Sequence, residues 1–169
     1  MADLARGLAR YRVRIGFVSA LAALWLAQPT LRSLTLGAVI AAAGELLRIW
    51  AAGHLEKGRE VTASGPYRWT RHPLYLGSTI IAIGFAVAAA NATAAILVAV
   101  YLVLTYGAAI TSEEKHLTEK FGAAYPQYKE GRVIAVDRRF SVERALRNRE
   151  YRAVAGLLLA LALLTWKVL

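Results

Sequence analysis

Two short polar segments interrupt an otherwise apolar chain, and each gathers side chains that can bind a ligand or move a proton. The first runs from Gly65 to Gly77 (GPYRWTRHPLYLG), and the second runs from Ser112 to Tyr128 (SEEKHLTEKFGAAYPQY). Their arginine, histidine and glutamate side chains can hold charged groups or exchange protons. We predict that the two segments fold together into one binding site for a nucleotide-type cofactor at a membrane surface.

The first segment places Arg71 and His72 directly before an apolar run that begins after Pro73. Proline suits the first turn of a helix, because its missing N–H would have no partner there. Tyr75 offers a ring and a hydroxyl group, and Gly77 allows a close approach to the backbone. The alternative interpretation is an aromatic belt at the level of the lipid headgroups.

The second segment contains Glu113 and Glu114, two adjacent carboxylates just beyond another apolar run. Adjacent helical residues point in different directions, so we expect one to face inward and the other to meet solvent. If they begin a helix, the helix dipole alone would explain them. The three histidines, His54, His72 and His116, lack the spacing of metal ligands, and no metal site is predicted.

The composition indicates a membrane protein. The chain has 169 residues, of which 57% are hydrophobic, whereas soluble domains contain about 45–50%. The net charge is +10, but the basic residues flank apolar runs, as in membrane proteins, and form no motif of a nucleic-acid-binding module. The chain contains no cysteine, which excludes disulfides, thiolate metal sites and cysteine nucleophiles.

The apolar runs predict an all-α polytopic membrane protein, with about five transmembrane helices in a single domain over residues 1–169. The predicted spans are 13–27, 34–53, 74–90, 94–110 and 153–166. A full span needs about 20 residues. For the short last run, a tilted, partial or interfacial helix is therefore also considered.

The connection between the third and fourth spans, at Asn91, is so short that the two helices must form an antiparallel hairpin. Arg71 and His72 are therefore expected on the same side of the membrane as Glu113 and Glu114. The basic loops and the N-terminus fall on this side when every run crosses. The positive-inside rule makes it the cytoplasmic side.

The second span carries Glu45 and Arg48, which lie three residues apart on one helical face and can form a pair. Ionisable residues at membrane depth usually face the interior of the helix bundle or a polar cavity. The pair is interpreted either as a structural lock between helices or as part of a pocket wall.

The order of these residues resembles the isoprenylcysteine carboxyl methyltransferase family, whose relatives include the phospholipid N-methyltransferases. The resemblance covers roughly residues 45–135, and its combined spacing is specific although each motif alone is weak. The matching motifs are Ser64-Gly65-x-Tyr67, Arg71-His72-Pro73-x-Tyr75-x-Gly77, Glu113-Glu114-x-x-Leu117 and Phe121-Gly122-x-x-Tyr125-x-x-Tyr128. The resemblance implies an integral membrane enzyme that uses S-adenosylmethionine and methylates a lipophilic acceptor.

The same resemblance implies roles for individual residues. Those expected to line the cofactor pocket are Gly65, Tyr67, His72, Pro73, Tyr75, Gly77, Glu113 and Glu114. One of the two glutamates would hold the amino group of the cofactor. We predict catalytic roles for Arg71, Glu114 and Arg48: an arginine would orient an anionic acceptor, and a glutamate or His72 would take a proton from an ammonium acceptor.

Two positions depart from the pattern of the eukaryotic carboxyl methyltransferases. Arg59 stands where those enzymes have a histidine, and Ala109 stands where they tend to have an arginine. The cofactor half of the motif is intact and the acceptor half is altered. The acceptor is therefore predicted only as an isoprenylcysteine-like carboxylate or a lipid headgroup.

Two other function classes remain as alternatives. A sterol-reductase-like enzyme would share the hairpin and glutamate pattern and bind NADPH, although such proteins are usually longer. A non-enzymatic membrane scaffold would use its ion pairs only to hold helices together. The predicted partners are the bilayer and a lipophilic acceptor, without nucleic acid. The predicted location is a prokaryotic inner membrane with a cytoplasmic N-terminus, and no oligomeric state is predicted.

Overall fold

The computed structural model describes residues 15–132 and 137–169, and within these ranges the chain is helical and contains no strand. This confirms the predicted all-α class. A short 3-10 helix, Gly65–Arg68, lies in the loop that precedes α3. The helices are α1 (described part Ile15–Leu26), α2 (Leu31–His54), α3 (Pro73–Ala89), α4 (Ala92–Phe121), α5 (Ala124–Lys129), α6 (Val142–Arg147) and α7 (Tyr151–Val168).

Three of these helices, α2, α4 and α7, are long and apolar enough to cross a membrane. The described part of α1 and the 17-residue α3 are apolar but shorter. The last predicted span, 153–166, forms the 18-residue helix α7 and is long enough to cross. Residues 13 and 14 of the first predicted span and the basic N-terminus lie outside the described residues.

Helix α4 is much longer than the fourth predicted span, 94–110, because it continues without a break through Glu113 and Glu114 to Phe121. Its 30 residues give a length of about 45 Å at about 1.5 Å per residue. A hydrocarbon core is about 30 Å thick. The last turns of α4, including Glu114 at about 33 Å from its start, therefore extend beyond the membrane.

Helices α2 and α3 pack closely because glycines face each other at two levels. A Cβ atom added to Gly84 would lie 2.6 Å from the carbonyl oxygen of Gly37, and one added to Gly77 would lie 2.8 Å from the carbonyl oxygen of Gly44. Small residues allow membrane helices to approach in this way. The close approach predicted at Gly77 is therefore made by helix α2.

The predicted hairpin between α3 and α4 is confirmed. Ala90 ends α3 in the left-handed conformation, with a φ of 47°. The side chain of Asn91 then accepts a hydrogen bond from the backbone N–H of Ala94 at 3.0 Å and caps α4. This turn fixes the antiparallel arrangement, and the start of α3 consequently lies beside the last turns of α4.

The ends of the helices remote from the polar segments share an apolar core. This core contains Ala23, Ala27, Leu34, Ala88, Ala89, Ala94 and Leu164. Lys167 at the end of α7 donates hydrogen bonds to the carbonyl oxygens of Leu24, Trp25 and Ala27. Because helix-terminal carbonyls have no partner within their own helix, these bonds join α7 to the end of α1.

The segment that precedes α7 covers the opposite end of α2. Asn148 donates hydrogen bonds to the carbonyl oxygens of Ala52 and Leu55, each at 2.8 Å. Arg144 forms an ion pair with Glu56 at 2.8 Å. These contacts satisfy carbonyls that α2 leaves unpaired at its C-terminus, and they hold the start of α7 against α2.

Candidate active site

The two polar segments meet at the carboxylate of Glu114. Its Oε1 atom lies 3.2 Å from Nε2 of His72 and 3.4 Å from a guanidinium nitrogen of Arg71. Its Oε2 atom accepts a hydrogen bond from the ammonium group of Lys129 at 2.8 Å. The prediction that the segments fold together, with Arg71 and His72 beside the paired glutamates, is confirmed.

A second link joins the 3-10 helix to α5. The hydroxyl of Tyr128 donates a hydrogen bond to the carbonyl oxygen of Tyr67 at 2.6 Å. Burial raises the pKa of Tyr67, whose side chain packs inside the loop. Gly65 has a φ of +56°, and a Cβ atom there would lie 2.6 Å from the ring of His54. Gly65 and Tyr67 thus fix the shape of the loop that presents Arg71.

The paired glutamates differ in their surroundings. The Glu114 side chain is 20% exposed and faces α3 and α5, whereas Glu113 is exposed. This confirms that one points inward and the other meets solvent. The alternative that both begin a helix is wrong, because both lie inside the continuous helix α4.

The cations around Glu114 determine its charge. The hydrogen bond from Lys129 is the largest cause that lowers its pKa to about 2, and burial opposes this shift. Glu114 is therefore ionised at neutral pH. A carboxylate with so low a pKa is a weak base, since an effective base has a pKa near the working pH. Glu114 is better suited to holding charged groups than to removing protons.

A row of aromatic rings leads from Glu114 into the hairpin of α3 and α4. The ring of His72 lies 5.9 Å from that of Tyr75, which lies 5.1 Å from the ring of Tyr106, in edge-to-face arrangements. Pro73 is fully buried at the first position of α3. It fixes the start of the helix from which Tyr75 projects.

A cavity of about 330 Å³ lies between the end of α4 and α5, within the range of about 300–1,000 Å³ that small-molecule sites occupy. Its lining residues are Thr111, Glu114, Lys115, Thr118, Tyr125, Pro126, Lys129 and Glu130. Glu114 is the one predicted site residue in this set. Tyr125 belonged to the recognised motif without an assigned role, and Lys129 had no signal other than its charge.

Arg48 lies in a different cluster, where Glu150 is a closer partner than Glu45. Its guanidinium forms two hydrogen bonds with Glu150, at 2.7 and 3.2 Å, and also contacts Ser78 and the carbonyl oxygen of Leu74. A carboxylate oxygen of Glu45 lies 4.0 Å from the Nε atom of Arg48. The predicted pairing of Glu45 with Arg48 is therefore present as a long ion pair. Glu150 is the main partner, because it meets the planar guanidinium with both oxygens.

This arrangement favours the structural interpretation of Arg48. Its contacts connect α2 with α3 and with the residue before α7, and its partners do not include Glu114. The catalytic role of Arg48 stays a prediction.

The two residues that depart from the family pattern differ in their surroundings. The Arg59 side chain is 69% exposed and lies 3.8 Å from Glu56 on the surface. Ala109 is buried within α4. Arg71, with 40% of its side chain exposed, is the arginine that contacts Glu114.

Comparison with known proteins adds three findings. Residues 34–124 match the phospholipid methyltransferase family. The nickel-cobalt-cadmium resistance protein NccN of Alcaligenes xylosoxydans xylosoxydans is 31% identical over 99 residues, which cover 57% of this chain and 45% of that protein. Protein-S-isoprenylcysteine O-methyltransferase of Schizosaccharomyces pombe is 32% identical over 87 residues, which cover 52% of this chain and 37% of that enzyme.

The chain therefore aligns with less than half the length of either relative. No solved structure gives a significant match. The range that matches the family contains most of α2, all of α3 and α4, the whole first polar segment and most of the second. It ends one residue before Tyr125, so the match includes Glu114 but not Tyr125 or Lys129.

Proposed function

The chain belongs to the phospholipid methyltransferase family, and we propose that it transfers a methyl group from S-adenosylmethionine to a lipophilic acceptor at the cytoplasmic face of a membrane. The observation that carries this proposal is the meeting of the two polar segments at Glu114, in the last turns of α4 that follow its apolar part. A water-soluble methyl donor can reach such a site from one side, and a lipid can reach it from the other. We further propose one domain in a prokaryotic inner membrane, with the N-terminus in the cytoplasm.

The residues around Glu114 fit the charged end of S-adenosylmethionine, which carries an ammonium and a carboxylate. Ionised Glu114 can accept hydrogen bonds from the ammonium, while Arg71 and Lys129 can donate to the carboxylate. Tyr75 and Tyr106 add aromatic faces, which attract cations such as a sulfonium. The bound donor supplies an electrophilic methyl group on that sulfonium.

The contribution of the protein to such a transfer is alignment and the exclusion of water. The rigid hairpin of α3 and α4 holds His72 and Glu114 in fixed relative positions. A carboxylate acceptor needs no base. An ammonium acceptor must first lose a proton, and His72 is a better candidate for this step than Glu114, whose pKa is about 2.

The acceptor is either an isoprenylcysteine-like carboxylate or a lipid headgroup. The family match points to phospholipids, and one relative is named for an isoprenylcysteine substrate. Arg71 is the cation beside Glu114 that we expect to orient an anionic acceptor group. Its partial exposure leaves its guanidinium accessible to a second ligand.

The direct test uses purified full-length protein, a lipid extract and S-adenosylmethionine with a labelled methyl group, followed by separation of the products by polarity. We expect a labelled lipid with the wild type and a loss of at least about tenfold with Glu114→Gln. Glu113→Gln changes the exposed neighbour and serves as the matched control. If no extract gives a labelled lipid and thermal stability responds to NADPH instead, the reductase-like alternative replaces this proposal.

A further inference from the structure

The cavity between α4 and α5 contains a buried hydroxyl group with unused hydrogen-bonding capacity. Tyr125 is only 3% exposed. Its hydroxyl lies near the carboxylate of Glu114, and this contact contributes to its raised pKa, but the contact falls short of normal hydrogen-bond geometry, as does every other described group around the hydroxyl. Buried polar groups in folded proteins nearly always have a partner. The lack of a hydrogen bond of normal geometry at Tyr125 therefore points to a ligand in this cavity.

The hydroxyl of Tyr125 is suited to donate a hydrogen bond. Burial, and secondly the charge of Glu114, raise its pKa to about 12, so it keeps its proton at physiological pH. A ligand that supplies an acceptor oxygen would complete its hydrogen bonding.

Two lysines on the same cavity wall add positive charge. Lys129 uses one of its three donor positions for Glu114, at 2.8 Å. The ammonium group of Lys115 lies 3.9 Å from a carboxylate oxygen of Glu119, which is a weaker ion pair. The side chains of Lys115 and Glu119 are both largely exposed. Both ammonium groups therefore have donor capacity left for a ligand.

The acidic groups on the cavity wall already have cationic partners. Glu114 pairs with Arg71 and Lys129, and Glu130 lies 2.8 Å from a guanidinium nitrogen of Arg132. Their repulsion of an anion is therefore reduced.

We propose that this cavity binds an anionic oxygen group, a carboxylate or a phosphate, through the Tyr125 hydroxyl and the ammonium groups of Lys115 and Lys129. The proposed function supplies two possible sources of this anionic group, and in this respect the inference rests on it. One is the carboxylate at the amino-acid end of the methyl donor. The other is the phosphate of an acceptor lipid.

The variant Tyr125→Phe tests this inference in the full-length, detergent-purified protein. It removes only the hydroxyl and retains the buried ring. Because the hydroxyl makes no hydrogen bond of normal geometry with a described group, and its contact with the Glu114 carboxylate is weak, we expect the melting temperature without ligand to stay the same or rise. Affinity for the anionic ligand should fall about tenfold, as expected for the loss of one hydrogen bond to a charged group.

Tyr128→Phe is the matched control, because it removes a hydroxyl that does have a protein partner, the carbonyl oxygen of Tyr67. We expect this variant to lower the melting temperature and to leave ligand affinity within about threefold of the wild type. A purely structural role of Tyr125 would instead make both variants behave alike.

Calorimetry with three probes identifies the source of the anion. S-adenosylhomocysteine carries the amino-acid end, 5′-methylthioadenosine lacks it, and a short-chain phosphatidic acid carries a phosphate. If the carboxylate binds here, Tyr125→Phe weakens S-adenosylhomocysteine and spares 5′-methylthioadenosine. If the phosphate binds here, the variant weakens the phosphatidic acid and spares both nucleosides.

The outcomes separate this inference from the proposed function. Unchanged affinity of Tyr125→Phe for all three probes would overturn the inference and leave the proposed function standing, provided that the wild type binds S-adenosylhomocysteine. If the wild type binds the phosphatidic acid through Tyr125 but neither nucleoside, the inference holds and the proposed methyl donor is wrong. A wild type that binds none of the probes would refute both.

Discussion

Replacing Glu114 by glutamine tests the electrostatic description of the site. The pKa of Glu114 falls from 4.5 to about 2 on folding, which corresponds to at most about 3.4 kcal/mol of stability at neutral pH. The side chains of Arg71 and Lys129 are 40% and 49% exposed, and solvent weakens such pairs. We therefore expect Glu114→Gln to lower the free energy of unfolding by about 1–2 kcal/mol at pH 7.

The stabilisation by Glu114 depends on pH in a direction that the shift of its pKa determines. Because the pKa of Glu114 is lower in the folded state, its contribution to stability is complete above pH 4.5 and is lost as the pH falls toward 2. Equilibrium unfolding of the wild type and Glu114→Gln in mixed micelles should show a difference at pH 7 that closes in this window. Glu113→Gln should match the wild type. Equal stabilities at pH 7, or a difference that persists unchanged at pH 2, would refute the reasoning.

Two further predictions concern the helices that hold the site. Glu150→Ala leaves the guanidinium of Arg48 without its main partner, so we expect the free energy of unfolding to fall by about 3–5 kcal/mol in the same assay. The control is Glu143→Ala, which changes an exposed glutamate. An equally small effect of both variants would contradict the buried ion pair. In Gly84→Ala the new methyl group would lie 2.5 Å from a backbone nitrogen of α2, and we expect a loss of about 1–3 kcal/mol. Gly107→Ala meets nothing within 4 Å and should not destabilise, so similar losses for the two glycine variants would argue against close packing of α2 and α3.

The contact between His72 and Glu114 could be predicted from the sequence because the chain leaves little freedom between them. Two apolar runs joined by a connection as short as the one at Asn91 must lie antiparallel. Residues that precede the first run and follow the second then lie at similar depth. Both segments carry charged and polar side chains that can pair with each other, which indicated that the segments are in contact.

The contact between Arg48 and its main partner, Glu150, could not be predicted in this way. Glu150 is 102 positions away, and its approach depends on how the segment before α7 covers the end of α2. No periodicity in that segment indicates this contact. Glu45 is close in sequence and does pair with Arg48, at 4.0 Å. Local spacing therefore predicted this weaker contact and could not predict the stronger one with Glu150.

The cavity beside α5 shows a similar limit. The motif that contains Tyr125 and Tyr128 indicated that both tyrosines matter, but their spacing could not distinguish their roles. In the part of the chain that the structure describes, the hydroxyl of Tyr128 bonds to the carbonyl oxygen of Tyr67, whereas the hydroxyl of Tyr125 is buried and makes no hydrogen bond of normal geometry. Burial and hydrogen bonding depend on tertiary structure, and they separate a structural tyrosine from a candidate ligand-binding one.

The most direct measurement of the central claim is calorimetric binding of S-adenosylmethionine to the full-length wild type, Glu114→Gln and Glu113→Gln in detergent. We predict saturable binding to the wild type, unchanged binding to Glu113→Gln and affinity at least about tenfold lower for Glu114→Gln, which loses the charge that faces the ammonium of the donor. A wild type that does not bind, or two variants that bind equally well, would contradict the assignment of this site to the methyl donor.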